Sequence, residues 1–212
     1  GLNSITNIGN NAFEGCNNLK DIEIANTATI GSFAFKNCSN LVNVKAKNGL
    51  AAINDCAFYS CNSLTSIETL NNATYIGNLA FFGCSSLKSI EIPSSVSIIS
   101  NGAFKNCNSL EEMTLPFIGE SIETNTFLGY IFGNNSDDLQ NINSLVPNSL
   151  KTIKIAQGCT SIGDRAIDGC NNITTVELPS SLKSINYSAF RNCSSIVSLD
   201  FPSNLNNIGA LA

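Results

Sequence analysis

Apolar residues in this chain recur in two alternating rhythms. Leu-x-x-Ile-x-Ile stretches alternate in steps of two: Leu19/Ile22/Ile24, Leu41/Val44/Ala46, Leu64/Ile67/Thr69, Leu87/Ile90/Ile92, Leu110/Met113/Leu115, Leu150/Ile153/Ile155, Ile173/Val176/Leu178 and Ile196/Leu199/Phe201. Period two buries one face of an extended chain, so each stretch predicts a half-buried strand. Between strands stands Ala-Phe-x-x-Cys, at Ala12-Phe13, Ala34-Phe35, Ala57-Phe58, Ala80-Phe81, Ala103-Phe104 and Ala189-Phe190. Its apolar residues at i, i+1, i+4 and i+7 share one face of a helical turn, which predicts a short α or 3₁₀ segment. A polar pair such as Asn17-Asn18 or Ser85-Ser86 separates that segment from the next strand, and these side chains suit a turn. Pro93, Pro116, Pro179 and Pro202 directly follow strands and mark where pairing stops.

The period is nearly constant. Cys16, Cys38, Cys61, Cys84 and Cys107 are separated by 22, 23, 23 and 23 residues. Eight positions before each cysteine, or its equivalent, stands an isoleucine: Ile8, Ile30, Ile53, Ile76, Ile99, Ile122, Ile162, Ile185 and Ile208. A unit this small cannot bury its apolar face alone, so the units must stack, each strand pairing in parallel with those before and after. The expected architecture is an α/β solenoid of about nine coils forming a single repeat domain over residues 1–212.

One stretch breaks the period. Cys107 and Cys170 are 63 residues apart where two coils would take 46, an excess of 17. Counting 23 from the previous coil puts Ile122 and Phe127 in register and lands on Tyr130, so an irregular coil with an insertion is expected at about 117–149. Its aromatics either fill a wider core or, with the polar stretch after them, supply contacts to a ligand.

The repeat resembles the leucine-rich repeats, and more closely their BspA-like subfamily of microbial surface proteins. Ile76-Gly77-Asn78-Leu79-Ala80-Phe81-Phe82-Gly83-Cys84-Ser85-Ser86-Leu87-Lys88-Ser89-Ile90-Glu91-Ile92-Pro93 follows that subfamily's pattern almost position for position. The resemblance covers essentially the whole chain. It implies a right-handed superhelix with a parallel β-sheet on the concave face and short α or 3₁₀ segments on the convex face. It further implies extracellular display at the cell surface and adhesion to a protein or glycan of a host or neighbouring cell.

Composition narrows the chemistry. Of the residues 43% are hydrophobic and 13% charged, with a formal net charge of −5 and scattered lysines and arginines. Nucleic acid and anionic membrane surfaces are poor partners for such a chain. No stretch is long and apolar enough for membrane insertion. The chain starts at Gly1-Leu2 and stops at Ala212 inside repeats, so it is expected to be part of a longer protein. A monomer is expected.

The chain has no histidine, which removes Ser/His/Asp, Cys/His and histidine-based metalloprotease chemistry. The carboxylates at Glu111-Glu112, Asp137-Asp138 and Asp164/Asp168 read as solvated surface charge. Adjacent acids on a strand point to opposite faces and cannot flank one bond. No enzyme activity, cofactor or metal site is expected.

Seven of the nine cysteines fall on the repeat position beside the phenylalanine, and Cys56 and Cys159 lie off it. A column of buried thiols is the expected arrangement. Bridges between neighbouring coils are the alternative, but equivalent side chains point in parallel whereas a disulfide needs them to converge. The outward residues of the strands form columns, one running Glu23, Lys45, Glu68, Glu91, Thr114, Lys154, Glu177, Asp200 beside another containing Glu112. Candidate ligand contacts are therefore Glu23, Glu68, Glu91, Glu112, Glu177 and Asp200 on this face, with Tyr130 and Phe132 from the insertion. The competing reading of this acidic face is solvation, because it lacks the aromatic and arginine anchors of strong interfaces.

Overall fold

The computed structural model describes residues 5–24, 28–68, 70–124, 126–134 and 141–212, with the backbone alone at Glu68. Its strands, numbered in chain order, fall into two sets. One set contains β1 (Asn7–Ile8), β3 (Ala28–Ile30), β5 (Leu50–Ile53), β7 (Tyr75–Ile76) and β9 (Ile98–Ile99), followed by β12 (Ser161–Ile162), β14 (Ser184–Ile185) and β15 (Asn207–Ile208). The other contains β2 (Asp21–Ile24), β4 (Asn43–Ala46) and β6 (Ser66–Glu68), followed by β8 (Ser89–Glu91), β10 (Glu112–Leu115), β11 (Thr152–Ile155) and β13 (Thr175–Glu177). Every pairing is parallel and joins a strand to its equivalent one coil away, as in Ile22↔Val44 and Met113↔Ile153. The chain is a parallel-stranded solenoid of about eight turns. Eight of the nine periodic isoleucines lie in strands, and Ile122 does not.

The Ala-Phe-x-x-Cys segments are not helices. The residue before alanine is left-handed, as at Asn11, Phe33, Cys56 and Leu79, and so is the residue before cysteine, as at Gly15, Asn37, Ser60 and Gly83. Two left-handed residues within five break any right-handed helix. What they allow instead is a division of N–H groups. Alternate residues bond locally, as in Ala12 N–H to Gly9 O and Cys16 N–H to Phe13 O, while those between reach the next coil: Asn11 to Ser32 O, Phe13 to Ala34 O and Gly15 to Lys36 O. The turn side is thus a third inter-coil ladder. Among the described residues the one helix is a 3₁₀ helix, Leu128–Phe132, in the irregular coil.

The side chains stack as the backbone does. Phe13, Phe35, Phe58, Phe81 and Phe104 form a column with centroids 5.1 to 5.4 Å apart and planes within 7° of parallel. Alanine, leucine, isoleucine and cysteine columns close around it in one buried cluster. No disulfide forms. Thiols of Cys38, Cys61, Cys84 and Cys107 donate instead to carbonyls of Phe13, Phe35, Phe58 and Phe81, each one coil back. Cys16 heads the column and is exposed.

One local expectation changes. The stretch through Leu199 and Phe201 forms no strand, so β13 ends its sheet, and Val197 and Phe201 are exposed. Thr69 lies outside the described residues.

A candidate interaction surface and the irregular coil

The outward face of β8, β10, β11 and β13 carries most of the described acidic candidates. Glu91 and Glu177 are exposed on this face, and Glu23 is exposed on β2 farther along the stack. Lys154 stands between two of the acids, its Nζ 3.0 Å from Glu112 Oε1 and 3.8 Å from Glu177 Oε1. Strand register explains the arrangement, since Lys154 lies directly opposite Glu177 and Thr114, with Glu112 one diagonal step away. The hydrogen bond that the lysine donates to Glu112 raises its pKa. Partial exposure keeps this network screened by solvent. Asp200 is exposed but lies on no strand, and the Glu68 side chain falls outside the described residues, as do Asp137 and Asp138.

The irregular coil does not follow the 23-residue count. Phe104 N–H donates to Ile131 O at 2.9 Å, the bond that Phe81 N–H makes to Ala103 O in a regular coil. The phenylalanine position is therefore filled by Phe132, 28 residues after Phe104, and not by Phe127. Five of the extra residues precede this point and form the bulge around Ser121–Thr124. Ile122 is consequently 71% exposed rather than buried. Sequence counting missed the shift because Phe127 and Phe132 are chemically interchangeable for the slot.

Phe132 is 1% exposed and packs tilted at 53° on Phe104, so it belongs to the core and not to a contact surface. Tyr130 is half-buried, set edge-on against Phe127, and its hydroxyl donates to Glu120 Oε1 at 3.0 Å. Two buried asparagines brace the insertion, and Asn143 also ties it to the next coil. Asn143 Oδ1 accepts from Gly129 N–H at 2.6 Å, and its amide donates to the carbonyls of Asp168 and Arg165. Asn134 Oδ1 accepts from Leu145 N–H while its amide reaches Asn141 O and Ser144 Oγ. Gly129 has to be glycine, since a Cβ there would meet Ile142 O at 2.0 Å. None of these asparagines was legible as structural in so asparagine-rich a chain.

Ion pairing elsewhere is structural too. Asp168, 6% exposed, receives Arg191 Nε and Nη2 in a forked contact with a shortest distance of 2.7 Å. Among the described residues no three metal-ligating side chains converge, and no helix is long and apolar enough to cross a membrane.

Stacked parallel strands, left-handed turns and a phenylalanine-cysteine interior define a leucine-rich-repeat solenoid. Residues 4–132 and 138–212 match the model of the BspA type leucine rich repeat region in six copies, so the chain belongs to that family. Two solved structures share the fold. A leucine-rich repeat protein of T. pallidum is 22% identical with a TM-score of 0.53, over 90% of this chain and 71% of its own. One from Eubacterium ventriosum is 16% identical with a TM-score of 0.50, over 99% and 68%. A leucine rich cell surface protein of Faecalibacterium prausnitzii is 23% identical with a TM-score of 0.47, over 96% and 72%. No curated protein matches the chain.

Proposed function

We propose that this is a non-enzymatic interaction domain of an extracellular, cell-surface protein, adhesive toward a protein or glycan partner through its outward sheet face and irregular coil. The supporting observation is the regular array of outward side chains on a rigid parallel sheet, Glu91, Glu112, Lys154 and Glu177 among them, presented by a stack whose interior is fully committed to packing. Such a face offers many equivalent weak contacts rather than one deep pocket. The sheet forms the concave side of a right-handed superhelix in this reading, the domain is monomeric, and Glu23, Glu68, Asp200 and Tyr130 extend the contact surface.

A second reading is favoured by the Lys154 pairs: acids already neutralised within the face serve solubility, and the solenoid is a spacer. An array of immobilised matrix proteins and glycans separates the two. Saturable binding to an array component, weakened at least tenfold by Glu91→Lys with Glu177→Lys, supports adhesion. Uniform failure to bind leaves the spacer.

A further inference from the structure

The sheet of β1, β3, β5, β7 and β9 stops at β9 and resumes only at β12, with the irregular coil between them. That coil makes one rung contact, Ile99 N–H to Glu120 O at 2.9 Å, then turns away through Ser121, whose N–H bonds to Thr124 O. It returns to the stack at Thr126, whose hydroxyl donates to Asp164 O. A slot remains on the entry side of both strands. Ser94, Val96 and Ser97 form one wall and Gln157 to Ser161 the other, with Pro116 and Phe117 between them and Ile122 at the mouth, enclosing about 410 Å³.

The walls of this slot are main chain in search of a rung. In regular coils Ser97 N–H donates to Thr74 O, and Lys183 and Ser184 N–H both donate to Thr160 O. Among the described residues the equivalent groups facing the slot, Ser97 O on one side and the N–H groups of Thr160 and Ser161 on the other, have no such partner. One rung is missing between β9 and β12, since a single coil, that of β10, lies between the coils of β8 and β11, and a missing rung is the space of one extended strand. Ser97, Thr160 and Ser161 are exposed. Ile98 and Ile122, 41% and 71% exposed, flank the opening.

We infer that this slot takes an extended, uncharged peptide segment of a partner protein, running parallel to β9 and β12 and completing the interrupted ladder. An open sheet edge recognises main chain through its own hydrogen bonds. The slot has two such edges, one offering the Ser97 carbonyl and the other the N–H groups of Thr160 and Ser161. Its lining carries no carboxylate, ammonium or guanidinium group, so a charged segment would be desolvated there without compensation. Val96 and Phe117 supply an apolar floor and Ser94, Ser97 and Thr160 a hydroxyl rim, which fits alternating apolar and small hydroxyl side chains. The inference goes beyond the adhesive sheet face and holds even if that face binds nothing.

The probe is a fluorescein-labelled hexapeptide, Ser-Ser-Val-Ser-Ile-Ile, copying residues 94–99 of the chain's own rung. Saturable anisotropy is expected, with slowed amide exchange at Thr160 and Ser161, whose N–H groups face the slot without a partner among the described residues. Ser161→Pro removes one wall N–H and should weaken binding at least tenfold while the melting curve stays cooperative. Should that variant unfold, Ile122→Asp, at an exposed position, should weaken binding similarly. Three results overturn the inference: no saturable binding of the peptide, binding insensitive to the slot variants, or saturation of the slot by maltopentaose in place of the peptide. Glu91→Lys with Glu177→Lys should leave peptide binding unchanged, so the slot and the sheet face fail separately.

Discussion

The Cys61 thiol lies 3.0 Å from the carbonyl oxygen of Phe35, one coil back, and donates its proton there. The same oxygen accepts the N–H of Cys38 within its own coil, so one carbonyl closes a local turn and ties two coils together. Cysteine suits the position because it is small and apolar yet still a weak donor. Repetition down the stack turns a modest bond into a column.

Burial makes these thiols unreactive. Desolvation pushes Cys61 and Cys107 up to about 12, and Cys84 and Cys170 well above the ordinary thiol range. Thiolate is the reactive form, so native protein at pH 8 should be alkylated by iodoacetamide at exposed Cys16 and remain protected at Cys61, Cys84 and Cys107. Peptide mass spectrometry checks this. Labelling of the three buried cysteines at the Cys16 rate would contradict the packing, and all nine should react in 8 M urea.

Raised thiol pKa values also fix an alkaline limit. The folded state holds its thiol protons more tightly, so this stabilisation is complete below the unfolded value of 9.0 and is lost as pH rises toward about 12. One unit above the unfolded value, each such thiol has given up about 1 kcal/mol. The melting temperature should be flat between pH 6 and 8 and fall above 9. The combined Cys61→Ala and Cys107→Ala variant should start lower and fall less steeply, as scanning calorimetry across that range would reveal.

Asn143 holds the insertion through Gly129 N–H and two carbonyls. Asn143→Ala leaves those buried groups without partners and should cost about 3 kcal/mol. Urea unfolding measures the loss, and limited proteolysis should cut first near residues 134–145. Gly129→Ala should destabilise as well through its clash with Ile142 O. If both variants unfold at the wild-type midpoint, the insertion is not anchored as described.

Much of the fold was legible because repetition multiplies a weak signal. A single Leu-x-x-Ile-x-Ile is ambiguous, whereas eight in the same phase, with Phe and Cys at constant offsets, specify parallel strands and a shared core. The helical reading of Ala-Phe-x-x-Cys failed for a local reason: apolar spacing reports which side chains face inward, not how the backbone gets there. Left-handed turns at Phe33, Cys56 and Leu79, residues with no preference for that region, bury the same faces as a helical turn would. What holds them is the hydrogen-bonding neighbour coil, which no local window contains.

The candidate surface divides along the same line. Alternation alone placed Glu23, Glu91 and Glu177 outward. Lys154 between Glu112 and Glu177 required strand register, and the burial of Phe132 required the shift that expels Ile122. The sequence by itself determined the repeat, the inward set and the parallel stacking, because those follow from spacing and the need to cover apolar surface. Only the tertiary structure decided where the irregular coil rejoins the stack and opens the slot between β9 and β12, because Phe127 and Phe132 serve that core position equally well until neighbouring backbones choose between them.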